Sequence, residues 1–212
     1  MPPNLKKDDK TEKRDDILDA SATLFAQLGF NGTSFGAVAK AASVTKALVQ
    51  YHFETKDCLW RETVKHIWNK RTEALPHYLD ADFMSQLDDE AQGQMIRHLC
   101  KGLLRFTFAN PHWVKIMYQE AAVQSPRLDW MIDEFFANDF IQGQAMIELA
   151  QARGLLPAVD PMNLLHIISG AMLHLVNVAP ITKRVLGADP QSDEYIDRYV
   201  DTLISMMAIN HA

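Results

Sequence analysis

The chain has 212 residues, 48% hydrophobic and 23% charged. That length buries a core without disulfide or metal staples, and the composition excludes an intrinsically disordered chain. The net charge of −6 argues, as an average, against a nucleic-acid binder.

The N-terminal stretch from Asn4 to Asp16 is polar and unlike a signal peptide. It sets Lys6, Lys7, Lys10, Lys13 and Arg14 against Asp8, Asp9, Glu12, Asp15 and Asp16, so residues 1–13 read as a solvated tail. Apolar residues then recur with a period of three to four. Ile17, Ser21, Leu24 and Leu28, with Leu18 and Phe25 beside them, form the stripe of a first helix that Gly29 stops. Asn31-Gly32 is a hairpin dipeptide, but its flanks are helical and it reads as a turn between helices. Asn31-Gly32-Thr33 also matches a glycosylation sequon, an accidental match in a chain without a secretory signal. Further on, Ser85 to Asn110 carries Met95, Ile96, Leu99, Leu103 and Phe106 at helical spacing. Pro111 opens another helix, and Pro126 to Arg153 forms a long one ended by Gly154. Pro161 to Val178 is almost wholly apolar and reads as a buried helix, and Ser192 to Ile209 is the last. Strand-like alternation is absent, and no unbroken apolar run approaches the roughly 18 residues of a membrane span. The fold class is all-α, with about nine helices.

The charge is divided along this order. Residues 1–71 hold 12 Lys and Arg against 9 Asp and Glu, a net of +3, and residues 72–212 carry a net of −9. Such asymmetry marks a nucleic-acid-binding part joined to a part with another task. The segment from Thr33 to Phe53 fits the first. Thr33 or Ser34 caps a short helix, with Phe35, Val38 and Ala39 inward. A turn at Ala42-Ser43 follows, Val44 plugs the core, and Thr45 starts a second short helix through His52. Two short helices joined by a tight turn and packed on a longer one form a helix-turn-helix, whose second helix enters the DNA major groove. Lys46 is suited to a phosphate or a guanine edge, Thr45 to a cap or a thymine methyl, and Gln50 to an adenine. Tyr51 and His52 suit phosphate contact, and Thr33 and Lys56 bracket the motif. Ser34, Ser43 and Ala47 complete the expected DNA-binding set.

The stretch from Arg14 to Val64 resembles the TetR family of bacterial transcriptional regulators. The resemblance rests on Ile17-Leu18, Ala20, Leu24-Phe25 and Gly29-Phe30. It continues through Thr33-Ser34-Phe35, Val38-Ala39, Ala42, Val44-Thr45-Lys46, Tyr51-His52-Phe53, Lys56-Asp57 and Leu59. Ser43 stands where glycine is usual, Gln50 where tyrosine is common and Ala37 where an acidic residue is frequent. The resemblance implies a three-helix head at 14–55, a connecting helix at 56–71 that transmits a ligand signal, and a larger antiparallel bundle at 72–212 for ligand binding and dimerisation.

A single helix-turn-helix reads few base pairs, whereas a two-fold dimer reads two half-sites. Leu165, Ile168, Met172 and Leu175 on one late helix, and Tyr195, Tyr199, Leu203 and Met206 on the next, are the candidate dimer interface, with Gly170 permitting close approach. Phe106, Trp113, Met117, Tyr118, Phe136, Phe140 and His174 are the candidate lining of a pocket for a small apolar or aromatic effector. His166 and His174 lie about 12 Å apart on a helix, too far to share a metal ion. No metal site and no cofactor is expected. Zincin, phosphate-loop, nucleophile-elbow and dinucleotide motifs are all missing, and Cys58 and Cys100 form no Cys-x-x-Cys pair. The chain therefore reads as a non-enzymatic, cytoplasmic, homodimeric repressor that an effector releases from double-stranded operator DNA, without a membrane partner. Two readings stay open beside it: an architectural or cell-division DNA-binding protein on the same fold, and a helical small-molecule-binding protein or enzyme.

Overall fold

Local signals set most helix ends. The computed structural model describes residues 9–76 and 79–207, and among them eleven α-helical stretches and no strand. The first is α1 (Asp9–Gly32), interrupted at Gly29, where φ is 69° and ψ is 177°. Glycine adopts this conformation without the Cβ penalty other residues meet. After it come α2 (Phe35–Ala41), α3 (Lys46–Phe53) and α4 (Lys56–Ala74). Ser34 Oγ accepts from the Ala37 N–H at 3.2 Å, and Thr45 Oγ1 accepts from the Leu48 N–H at 3.2 Å. Each hydroxyl satisfies an orphan donor of the first helical turn. Then come the short α5 (Ala81–Ser85), α6 (Asp89–Ala109) capped by Asp88, and α7 (His112–Val123). Pro126 sits in the first turn of α8 (Pro126–Met131), which runs through a π-helical segment, Ile132–Phe136, into α9 (Ala137–Ala152). The long helix expected from Pro126 onward is thus continuous but carries a π-bulge. The last two are α10 (Pro161–Leu186) and α11 (Asp193–Met207). The expected end of the final helix at Ile209 lies outside the described residues.

The helix expected to stop before Pro180 continues through it to Leu186, where Gly187 closes it in the left-handed region at φ 66°. Proline removes one intrahelical hydrogen bond, and Pro180 is on the exposed side of the helix. By length and composition α10 is also apolar enough to cross a membrane. Its Ser169, His174 and Asn177 break the apolar run while the average stays apolar.

The chain forms two compact units. The first joins residues 1–71 to 112–123, the second residues 72–111 to 124–212. The boundary expected at residue 71 is therefore not a single cut. Helix α7 packs along α1, and Gln119 Nε2 donates to the Ala26 carbonyl at 3.0 Å. The core of this unit holds Ile17, Leu18, Phe25, Phe53, Leu59 and Trp60, all at 1% exposure or less. Each such side chain contributes about 1.5–3 kcal/mol on burial. Leu28, expected on the inner stripe, is exposed, and Ala22 and Ala26 take the inner positions. The buried face is thus rotated toward Leu18, Ala22 and Phe25.

In the second unit Met84, Leu104, Met131, Ile196 and Val200 are buried. Helices α6 and α11 run antiparallel, and a ladder of ion pairs marks their register. Arg97 meets Asp201 at 2.7 Å, Lys101 meets Asp197 at 3.0 Å, and Arg105 meets Asp193 at 2.7 Å. Each pair, being largely exposed, contributes under about 1 kcal/mol, yet together they match one alignment and oppose a shift by one turn.

Candidate functional site

The turn between α2 and α3 closes through backbone bonds. The Ala42 N–H donates to the Val38 carbonyl at 2.8 Å and the Val44 N–H to the Ala39 carbonyl at 2.9 Å. Ser43 sits between them at φ 56°, the left-handed conformation that favours glycine and costs a residue with a Cβ about 1–2 kcal/mol. The inner side of α3 is fixed by Val49 and Phe53, both at 0% exposure. From α1 the Arg14 guanidinium lies 5.5 Å from the Phe53 ring centre and pairs with Glu62 of α4 at 2.5 Å. One side chain thereby holds the end of α3 against two longer helices.

With that side anchored, Thr45, Lys46, Ala47, Gln50 and Tyr51 all face solvent on a single face of α3. Tyr51 is 67% exposed, far more than a packed aromatic residue, and its ring meets His52 edge-on. Ser34 and Ser43 are exposed as well, and His52 is half-buried. Thr33 differs: it is 1% exposed and its hydroxyl donates to the Gly29 carbonyl at 2.9 Å, so its polar atom supports the bend in α1. The Lys56 ammonium lies 4.5 Å from the Phe30 ring centre, a cation–π contact that ties the start of α4 to α1. Sequence reasoning passed over Lys40, which is exposed in the last turn of α2. Its position in the helix that precedes the turn was the available signal. Among the described residues no carboxylate pairs with Lys40 or Lys46.

In the same unit α1 and α4 are joined by a charged cluster. Asp19 accepts from Lys70 at 2.5 Å and lies 3.0 Å from His66 Nε2. The hydrogen bond to His66, with help from Lys70 and against the opposing effect of burial, pulls the Asp19 carboxyl down to about 2. On α7, burial together with Lys115 lowers the pKa of His112, and its Nε2 is 3.5 Å from the Thr23 hydroxyl.

The second unit contains a cavity of about 100 Å³. Its walls are Ile96, Leu99, Cys100 and Leu103 from α6, Gly143, Met146 and Ile147 from α9, and Leu165, Ile168, Ser169 and Met172 from α10, with Leu79 and Leu156. The residues expected to form an effector pocket do not belong to this wall. Trp113, Met117 and Tyr118 lie on α7 in the first unit, where Trp113 stands edge-on to Trp68 at 6.0 Å. Phe106, Phe136, Phe140 and His174 belong to the second unit but do not line its cavity. Phe106 is core, and Phe140 and His174 are exposed.

Of the expected dimer interface, the α10 stripe is buried within the second unit. Ile168, Met172 and Leu175 are at most 8% exposed, and Leu165, Ile168 and Met172 are cavity walls. The opposite face of α10 carries the exposed Ile167, Gly170, His174 and Ile181. On α11 the Tyr199 hydroxyl donates to the Ala171 carbonyl at 2.8 Å. Tyr195 and Leu203 are half-buried and Met206 is 80% exposed. Among the described residues no group of three or more His, Cys, Asp or Glu is placed to hold a metal ion.

Comparison with known proteins bears on this geometry. The family described as bacterial regulatory proteins, tetR family, matches residues 17–63, which contain the caps, the turn and the exposed face of α3. The HTH-type transcriptional regulator RutR of Escherichia coli O157:H7 is 24% identical over 191 residues, covering 90% of this chain and 86% of that protein. IcaR of Staphylococcus epidermidis, an HTH-type negative transcriptional regulator of a biofilm operon, is 32% identical over 56 residues, which span 26% of this chain and 30% of IcaR. Among solved structures, AibR in complex with isovaleryl coenzyme A and operator DNA superposes with a TM-score of 0.69 at 17% identity, over 92% of this chain and 98% of AibR. A linker-substituted HlyIIR mutant gives a TM-score of 0.69 at 22% identity, over 95% and 98%. At these identities the two superpositions speak to the fold alone. Residues 17–63 thus carry a tetR-family helix-turn-helix head, and the chain is similar over most of its length to a DNA-binding transcriptional regulator.

Proposed function

We propose that the protein is a homodimeric repressor that a small apolar effector releases from operator DNA. The observation that carries the DNA part is the single exposed face of α3, from Thr45 to Tyr51, anchored from behind by Val49 and Phe53. Lys46 in its first turn and Lys40 at the end of α2 supply cations to phosphates or guanine edges, and Gln50 and Tyr51 supply base and backbone contacts. Thr45, Ser34 and Ser43 line the same edge with hydroxyls.

Two half-sites about 34–36 Å apart require a two-fold partner. The exposed apolar face of α10, with Ile167 at 61% and Ile181 at 62% exposure, supports a self-complementary interface. Gly170, beside which a Cβ would meet nothing within 4 Å, leaves room for a partner backbone. Repression is supported by IcaR, itself a negative regulator, and effector binding by AibR, which holds an acyl coenzyme A beside operator DNA. A protein with this task works in the cytoplasm.

Release follows from a population shift: the effector binds best to a state in which the two heads no longer match the operator. The connecting helix α4 carries the shift, and α7 offers a second route. The chain passes between the units at residue 71 and again at both ends of α7, whose Gln119 is bonded to α1. The test is operator affinity against salt, measured by gel shift on the footprinted promoter fragment. Wild type protects a two-fold site, and Lys46→Ala weakens binding and lowers the slope of log affinity against log salt by about 0.9. An unchanged affinity and slope would remove α3 from the interface.

A further inference from the structure

We infer that the cavity among α6, α9 and α10 is a receptor for one short, uncharged aliphatic chain of about four to six carbons. The inference rests on the effector reading above and names the chemistry of that effector. Among the described residues, aliphatic side chains make up nearly the whole wall, with no aromatic ring and no charged group. Two polar atoms occur there, and neither is free to recognise a polar ligand. The Ser169 hydroxyl donates within its own helix to the Leu165 carbonyl at 2.8 Å. The Cys100 thiol is raised to about 11 by burial, so it stays neutral and behaves as a small hydrophobe.

These walls discriminate in three ways. An ordered water needs two to four polar partners, which this cavity does not offer, so an alkyl group enters without displacing bound water. A charged group would lose its hydration with no compensating hydrogen bond, so any ionised head stays at the mouth. Size limits the length of the chain: a dry cavity of about 150 Å³ accommodates a six-carbon hydrocarbon, and this one holds about 100 Å³. The narrowness has a local cause at Gly143. A Cβ there would stand 2.9 Å from Leu165 Cδ2 and 3.5 Å from Leu79 Cδ2, so glycine lets two wall leucines close over α9. Of the small apolar or aromatic effector that the sequence suggested, the aliphatic wall favours the apolar case.

The test is calorimetric titration of the full-length protein with straight-chain primary alcohols from propanol to decanol. Affinity rises about fourfold per methylene up to five or six carbons and then levels off. Cys100→Leu, which fills the space from α6, weakens hexanol at least tenfold. Should that variant not fold, Leu103→Ala enlarges the same space and moves the plateau to longer chains. A steady rise through decanol, a plateau unmoved by Leu103→Ala, or hexanol binding untouched in folded Cys100→Leu overturns the inference. Operator gel shifts run with the same alcohols separate this from the effector reading. Saturable binding without any change in operator affinity refutes the effector reading and leaves the receptor standing. Operator release by an aromatic compound, with no alcohol bound, refutes the receptor alone.

Discussion

The two units treat their polar and apolar faces in opposite ways. In the first, α3 buries Val49 and Phe53 so that a polar tip from Thr45 to Tyr51 stands outside. In the second, α6, α9 and α10 surround a space with aliphatic side chains and leave their charges outside, as in the Arg97, Lys101 and Arg105 ladder to α11. The difference suits two ligand chemistries. A polyanion is met on a protruding surface, where long-range charge and exposed donors act. A small apolar chain is met in an interior, where removal from water supplies the binding energy.

The strongest test of that contrast is Phe53→Ala. Removing a fully buried ring costs about 3–5 kcal/mol, so thermal melting should show a destabilised protein with operator binding lost. Hexanol titration below the melting transition should be unchanged, and a parallel loss there would mean that the two sites share one cooperative core. Ser43→Gly should act in the other direction. Relief of the left-handed strain at φ 56° exceeds the backbone entropy that glycine adds, for a net gain of about 0.5 kcal/mol. Denaturant midpoints read this gain, and a lower midpoint would mean that the serine side chain supports the turn.

The smallest effect is expected at Asp19, whose bridge to α4 is partly exposed. Asp19→Asn should cost under about 1 kcal/mol at pH 7. Its carboxyl is pulled from an ordinary 3.8 to about 2 in the folded protein, so the contribution is complete above about pH 5 and is lost as the pH falls through 2 toward about 1. Wild type and Asp19→Asn should therefore converge in stability across that window, and a gap still undiminished near pH 1 would assign the effect to packing.

Legibility in the sequence followed how local each decision was. Ser34 and Thr45 cap the helices that follow them, Gly29 bends α1, and Ser43 turns the chain, because each acts within four residues of itself. The fold class followed for the same reason, since a period of three to four survives any tertiary arrangement. Leu28 and the stripe from Leu165 to Leu175 were harder. A helical stripe states that a face is apolar and leaves open what covers it. Ile168, Met172 and Leu175 point into their own unit, whereas Ile167 and Ile181 on the other side of α10 stay exposed. Charges spaced by four, at Arg97, Lys101 and Arg105 and at Asp193, Asp197 and Asp201, were a readable clue that α6 pairs with α11.

What the sequence determined by itself is an all-α chain with a helix-turn-helix head, because turns, caps and periodicity are short-range properties. Only the tertiary structure decided that α7 packs with α1, that Pro180 stays inside α10, and that aliphatic residues of α6, α9 and α10 surround a cavity. Each of these depends on which surface meets a given face across scores of residues, and burial, the dominant stabilising term, carries no direction of its own.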